Sequence, residues 1–152
     1  MKSNYRHTQY GALMFIVFLL TGILIAAVAL MVITEGRTLP AVLMVLVYLL
    51  GLVLFSSFTV EVSEENLRFW FGIGVIRKTI TLREVQSTKE IQNPWYYFWG
   101  VKSIPGGWFY AIAPGTAVEI KLKNGGILQL GTNQPKKLKQ AIDAAKQRMS
   151  KK

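Results

Sequence analysis

The sequence predicts a two-helix transmembrane hairpin followed by an α+β domain. Three observations carry this reading. Two uncharged apolar runs, Ala12 to Ile33 and Leu39 to Phe58, fill the front of the chain. Short segments with a two-residue alternation follow, and the chain ends on a stretch with helical periodicity.

As helices the two runs reach roughly 33 and 30 Å, against an apolar bilayer core of about 30 Å. The linker Thr34-Glu35-Gly36-Arg37-Thr38 is long enough only to join neighbouring antiparallel helices. Gly36 suits the exit from the first helix, and Pro40 suits the first turn of the second, where its missing N–H is no loss. Both chain ends then lie on one side of the bilayer. Lys2, Arg6, Arg68, Arg77 and Lys78 flank the spans on that side, and Arg37 alone stands on the other. The positive-inside rule therefore places the N- and C-termini in the cytoplasm, with the chain a two-span protein of the cell (inner) membrane. A cleaved signal sequence is the rival reading, since Ala27-Val28-Ala29 has a small-x-small pattern, but Leu30 to Ile33 continue the apolar run. The expected division is a tail and hairpin over 1–58, with spans 12–33 and 39–58, and a domain over 59–152.

Within the spans, Gly22 and Ala26 form a small-x-x-x-small pair, with Ala29 nearby and Gly51 in the second helix. Such residues let helices approach closely, either inside the hairpin or between copies. Neither span holds an Asp, Glu, Lys, Arg or His. Ion pathways and proton relays ordinarily need such groups, which argues against transport by this chain alone.

The chain carries a formal net charge of +10. From Thr59 onward fifteen Lys or Arg stand against seven Asp or Glu, so most of the excess belongs to the domain. A field of that sign favours an anionic partner, and beside a bilayer anionic lipid is the nearest one. Solubility and the positive-inside bias account for such charge equally well. The basic residues are scattered without a groove-binding motif, so no nucleic acid is expected. There is no cysteine, which excludes disulfides, thiolate metal sites and a Cys nucleophile.

In the domain, Phe58, Val60 and Val62 alternate with polar residues, as do Leu67, Phe69 and Phe71 across a Ser63-Glu64-Glu65-Asn66 turn. Gly72-Ile73-Gly74 reads as the next turn and Val75 to Ile80 as the next strand, with a weaker strand over Val85 to Ile91. Asn93 to Gly107 is irregular and aromatic, and Trp108 to Ile112 reads as a strand. Val118, Ile120 and Leu122 alternate up to Asn124-Gly125, a strong hairpin signal, and Ile127 to Leu130 returns. Leu138, Ile142, Ala145 and Met149 then fall on one face of a helix over 135–149, opened by Pro135 and capped by Asn133 or Gln134. The total is about seven strands and a helix.

Several of these segments together resemble the bacterial pleckstrin-homology-like domains attached to membrane hairpins. They are Val60-Glu61-Val62 with Gly72-Ile73-Gly74, Ile80-Thr81-Leu82-Arg83-Glu84-Val85, Gly106-Gly107-Trp108-Phe109-Tyr110-Ala111-Ile112, Ala117-Val118-Glu119-Ile120, and Gly131-Thr132-Asn133-Gln134-Pro135. The resemblance covers about 58–149. It implies a curved sheet or partly open barrel of about seven strands plugged by the C-terminal helix, and a non-enzymatic membrane-associated module. Phosphoinositide-binding members use basic residues around their first hairpin loop. Here that loop, Ser63-Glu64-Glu65-Asn66, is acidic, a departure from that use.

Two candidate contact regions stand out. The first is Trp95, Tyr96, Tyr97, Phe98 and Trp99, with Lys102 behind them. Five successive aromatics cannot all face one core from a strand. Three roles fit: a loop dipping into the headgroup layer with Lys102 near lipid phosphates, a cover over an open end of the domain, or an anchor for a partner protein. The second is Lys136, Lys137 and Lys139 in the first turn of the C-terminal helix, which read as an anion contact or as a solvated basic face.

Catalytic, cofactor and metal patterns are missing from the sequence. Gly72-x-Gly74 lacks the third glycine of a dinucleotide loop, His7 has no sequence partner, and the carboxylates form no metal-ligand pattern. The expectation is a non-enzymatic recognition or scaffold module without a cofactor. It would bind protein partners or anionic lipid, with a homo-oligomer as a further option. The alternative is an accessory subunit of a membrane transport or envelope-stress complex, acting through the hairpin.

Overall fold

A computed structural model of the chain describes residues 3–97 and 100–151. Strand β1 (Ser3–Gln9) leads into α1 (Ala12–Thr34) and α2 (Thr38–Phe55). Strands β2 (Phe58–Ser63), β3 (Asn66–Phe71), β4 (Arg77–Thr81) and β5 (Val85–Gln92) follow. Then come β6 (Gly100–Ile104), β7 (Gly107–Ala111), β8 (Thr116–Leu122), β9 (Ile127–Gly131) and α3 (Pro135–Ser150). The chain is thus an apolar helical pair, two sheets and a C-terminal helix. The sheets run β1-β2-β3-β4 and β5-β8-β9-β7-β6.

The apolar helices are where the sequence puts them, the second ending at Phe55 rather than Phe58 because Phe58 opens β2. Both are long and apolar enough to cross a membrane, and only 6% of each span is covered by protein. Gly36, at φ 78°, ends α1. Its N–H donates to Ile33 O at 2.9 Å and that of Arg37 donates to Val32 O at 3.1 Å, the two bonds of a Schellman stop. Polar side chains in the pair turn back to backbone. Thr21 Oγ1 donates to Val17 O at 2.7 Å, and the Tyr48 hydroxyl donates to Phe18 O across the pair. A Cβ on Gly22 would lie 2.6 Å from the Tyr48 hydroxyl oxygen. Gly22 therefore serves packing inside the hairpin, whereas Gly51 has nothing within 4 Å of its Cβ position.

Residues 3–9, expected as tail, form a strand instead. β1 pairs antiparallel with β2, from Tyr5 opposite Val62 to Gln9 opposite Phe58. Gln9 and Phe58 are facing partners although 48 residues of hairpin and joints separate them. The N-terminus and the domain consequently lie on one side of any bilayer that the helices span.

The first sheet is an antiparallel meander. Its inner face brings Phe58, Val60, Val62, Leu67, Phe69, Phe71 and Ile80 to a core shared with Val118, Ile120, Leu128 and Leu130 of the second sheet and Leu138, Ile142 and Ala145 of α3. The core does not stop at the apolar helices. Met14 of α1 is buried in it, and Phe18 and Phe55 pack against it. Phe55 meets Phe71 at 5.8 Å between ring centroids, Phe71 meets Phe58 at 4.7 Å, and Phe69 meets Tyr110 at 4.8 Å. Burial beside Phe69 raises the Tyr110 pKa above its ordinary value, because the phenolate loses water.

The second sheet differs from expectation in two ways. β6 forms where irregular chain was read, and β7 runs parallel to β9. Nine strands, not seven, are present among the described residues. The strand expected over 75–80 begins only at Arg77, since Val75 and Ile76 belong to the turn. The Asn124-Gly125 turn is as read, with Gly125 at φ 84° and Asn124 Oδ1 accepting from Gly126 N–H at 2.9 Å.

Between helix pair and sheet there is no slack. Gly72 N–H donates to Ser57 O at 2.8 Å, and a Cβ on Gly72 would fall 2.1 Å from Val53 O. Its φ of 48° is also a left-handed value. Gly72→Ala should therefore cost about 1–3 kcal/mol of stability in micelles, read as a lower melting midpoint. A variant melting like the wild type would show that the joint can open.

Candidate functional site

The loops around the helix-pair end form a rim, fixed by a chain of short contacts. A Cβ on Gly11, at the foot of α1, would meet Ile112 O at 2.6 Å. Ile112 begins the β7–β8 connection, whose Gly115 O accepts from Asn93 N–H at 2.8 Å. Asn93 opens the aromatic segment. On another side, Gln9 Oε1 accepts from Asn133 N–H at 3.0 Å and His7 Nε2 donates to Asn133 Oδ1 at 2.7 Å. This pins the entry to α3. Both regions singled out in the sequence thus start at the end of the domain that meets the helix pair.

Their side chains divide. Trp95 to Tyr97 form a single 3-10 turn, closed by Tyr97 N–H on Pro94 O at 3.0 Å. Tyr97 packs on Phe109 at 5.7 Å, on the face of the second sheet away from the core, so this ring covers the domain's own surface. Tyr96 stacks edge-on to Tyr97 and remains 56% exposed. Phe98 and Trp99 lie outside the described residues. Lys102 turns back toward the same segment. Its ammonium donates to Tyr97 O at 2.7 Å, and its β6 position faces Phe109 on β7. It braces the aromatic turn because that carbonyl lies within its reach.

The three lysines of α3 separate as well. Lys136 and Lys137 are exposed in the first turn. Lys139 instead bonds Asp143 at 2.8 Å, one turn along. That hydrogen bond, and then the charge of Asp143, raise its pKa. Asp143 also accepts from Thr88 Oγ1 at 2.6 Å, so this pair belongs to the seat of α3 on β5. Gln134 occupies the N-cap position without a capping side-chain bond, and Asn133 is engaged by His7.

A third feature of the rim was missed. The β3–β4 turn stands against the end of α2, and its Ile73 and Val75 are 72% and 66% exposed. Behind the turn an open cleft of about 550 Å³ lies on the outer face of the first sheet, among Glu61, Arg68, Trp70, Ile73, Arg77 and Lys78. The Arg6 guanidinium lies over the Trp70 ring, 5.5 Å from its centroid. A sequence signal existed: Ile73 between two turn glycines, then Val75 and Ile76 directly ahead of Arg77-Lys78. The alternation assigns Ile73 to the turn and Val75 to the strand after it, which hides their common exposure.

Glu119 accepts from Gln129 Nε2 at 3.0 Å within the sheet. Among the described residues no three His, Cys, Asp or Glu side chains gather at one point. Comparison with protein families, with curated proteins and with solved structures yields no match.

Proposed function

We propose that this chain is a membrane-anchored, pleckstrin-homology-like recognition or scaffold module. It works without catalysis at the cytoplasmic face of the cell membrane and binds a protein partner or anionic lipid. The observation that carries this reading is the pairing of β1 with β2 across the whole hairpin. It makes the helix pair an insertion between two adjacent strands, with no flexible tether. A domain so held keeps a constant rim toward the headgroups, which suits recognition at a surface. The antiparallel meander and the C-terminal helix against the core support the fold resemblance. The β1 strand and the parallel β7–β9 pair depart from it. The cytoplasmic assignment rests on Lys2, Arg6, Arg68, Arg77 and Lys78 against Arg37 alone.

One observation favours the alternative, an accessory subunit of a membrane transport or envelope-stress complex. Gly51 and the exposed Ala26 leave small-residue notches on the outside of the helix pair, where a further helix could approach. Exchanging residues 12–55 for an unrelated two-helix hairpin of equal length separates the readings. Partners cross-linked in native membranes should stay with the exchanged chain if the domain recognises them. Partners that vanish with the native helices would establish the subunit reading instead.

A further inference from the structure

We propose that the cleft behind the β3–β4 turn binds the headgroup of an anionic phospholipid from the leaflet beneath it, with Ile73 and Val75 inserted beside that lipid. The inference rests on the domain working at the membrane face, and it names the site and the ligand.

Position comes first. Gly72 is fastened to Ser57, and its backbone abuts the carbonyls of Val53 and Leu54 in the last turn of α2. Ile73 and Val75 therefore emerge beside a membrane helix as it leaves the apolar layer. Large apolar side chains exposed at a turn tip in water are unfavourable, and the same side chains in the acyl–headgroup boundary are stabilised by burial. Thr59 is level with Trp70 and Arg77 in the sheet and lies four residues past Phe55. That is at most about 14 Å of chain. The headgroup layer is about 5–8 Å thick, so long side chains on this row reach it.

Charge comes second. Arg6, Arg68, Arg77 and Lys78 face the cleft or border it, against the single carboxylate of Glu61. Glu61 stands opposite both Arg6 and Arg68 in the register. Arg77, exposed on edge strand β4 opposite Trp70, is the cation directed to the ligand, and Lys78, opposite Phe69, borders the cleft at the sheet edge. A phosphodiester accepts such hydrogen bonds in charge-assisted form. Trp70 offers the half-apolar surface that suits glycerol at this depth. The acidic Ser63–Asn66 turn lies at the opposite end of β2 and β3 and takes no part.

The test uses the full chain in micelles containing equimolar phosphatidylglycerol and phosphatidylcholine, with retained lipid counted by native mass spectrometry. The wild type should retain phosphatidylglycerol preferentially. Each charge removed in Arg77→Gln and Lys78→Gln should lower that preference about 5-fold. Lys136→Gln with Lys137→Gln removes as much charge elsewhere on the rim and should change it far less. An equal loss in both pairs would mean diffuse attraction and overturn the site. Displacement of the lipid by millimolar glycerol 3-phosphate would make the cleft a site for a free phosphate ester and overturn the lipid as its ligand. The chain has no cysteine, so Ile73→Cys can carry a single polarity-sensitive dye. In nanodiscs its emission should shift to that of an apolar setting, and a water-like spectrum would overturn the insertion. Partner capture by the hairpin-exchanged chain is read independently, so loss of lipid preference leaves the recognition reading standing.

Discussion

A chain that begins at Tyr10 should fail to hold its β domain folded. β1 is an edge strand, yet it carries more than its ladder to β2. Thr8 and Thr59 share a hydroxyl hydrogen bond of 2.9 Å, Gln9 accepts from Asn133 N–H, and His7 donates to Asn133. Tyr5 packs against the core, and its pKa is raised by that burial. Losing the ladder and three side-chain bonds, at about 0.5–1.5 kcal/mol each, removes several kcal/mol. A domain stable by only about 5–15 kcal/mol would be left marginal, with the edge of β2 open to aggregation. Loss of the melting transition in micelles is the expected result. A fragment over 58–152 should fail for the same reason. Joining Gln9 to Phe58 by a short Asn-Gly turn should restore a folded domain without the apolar helices, because the two residues already face each other. Cooperative melting of the truncated chain would show that β1 is dispensable and would remove the main support for the rigid seat.

Gly107→Ala should destabilise the domain by about 3–5 kcal/mol, more than an ordinary core substitution. Gly107 is where β7 meets β9 in parallel, opposite Ile127. A Cβ there would fall 1.6 Å from Ile127 O and 2.5 Å from its carbonyl carbon. Neither backbone can yield easily. Ile127 N–H is bonded to Gly106 O at 2.8 Å, and both strands have further partners, β6 on one side and β8 on the other. The melting midpoint should fall by more than about 10 °C, at roughly 4–8 °C per kcal/mol for a domain of this size. Gly125→Ala is the control. Its φ of 84° disfavours a side chain, but nothing lies within 4 Å, so only backbone strain of about 1–2 kcal/mol is expected. Equal effects from the two variants would mean that β7 and β9 separate at little cost.

Gly107 also shows how much was legible beforehand. The Gly106-Gly107-Trp108 run carried the family resemblance, but the reason for the glycine is a parallel neighbour 20 residues away. The alternation of Phe58, Val60 and Val62 revealed β2 because its two faces meet different surroundings. β6, with Gly100, Lys102 and Ser103 among its five residues, shows no such contrast. The aromatic run was recognisable as unusual, yet its allegiance was not. Tyr97 turns to the domain's own Phe109, and Lys102 to the carbonyl of Tyr97. The cleft around Arg77 was least legible, since Arg6, Arg68 and Arg77 belong to three strands and meet only in the folded sheet.

Two apolar spans, their tight connection, the alternating strands β2, β3 and β8, and the amphipathic α3 were readable from the chain before it was folded. Each of these is a local pattern, set by the period of the backbone and by the solvent on either side of it. That Ser3–Gln9 is a strand, that the helix pair is inserted within a sheet, and that Ile73 and Val75 stand at the foot of α2 emerges only on folding. Strand pairing is made by backbone N–H and C=O groups, which every residue but proline carries alike, so a polar stretch such as Asn-Tyr-Arg-His-Thr holds no local trace of a partner more than fifty residues away.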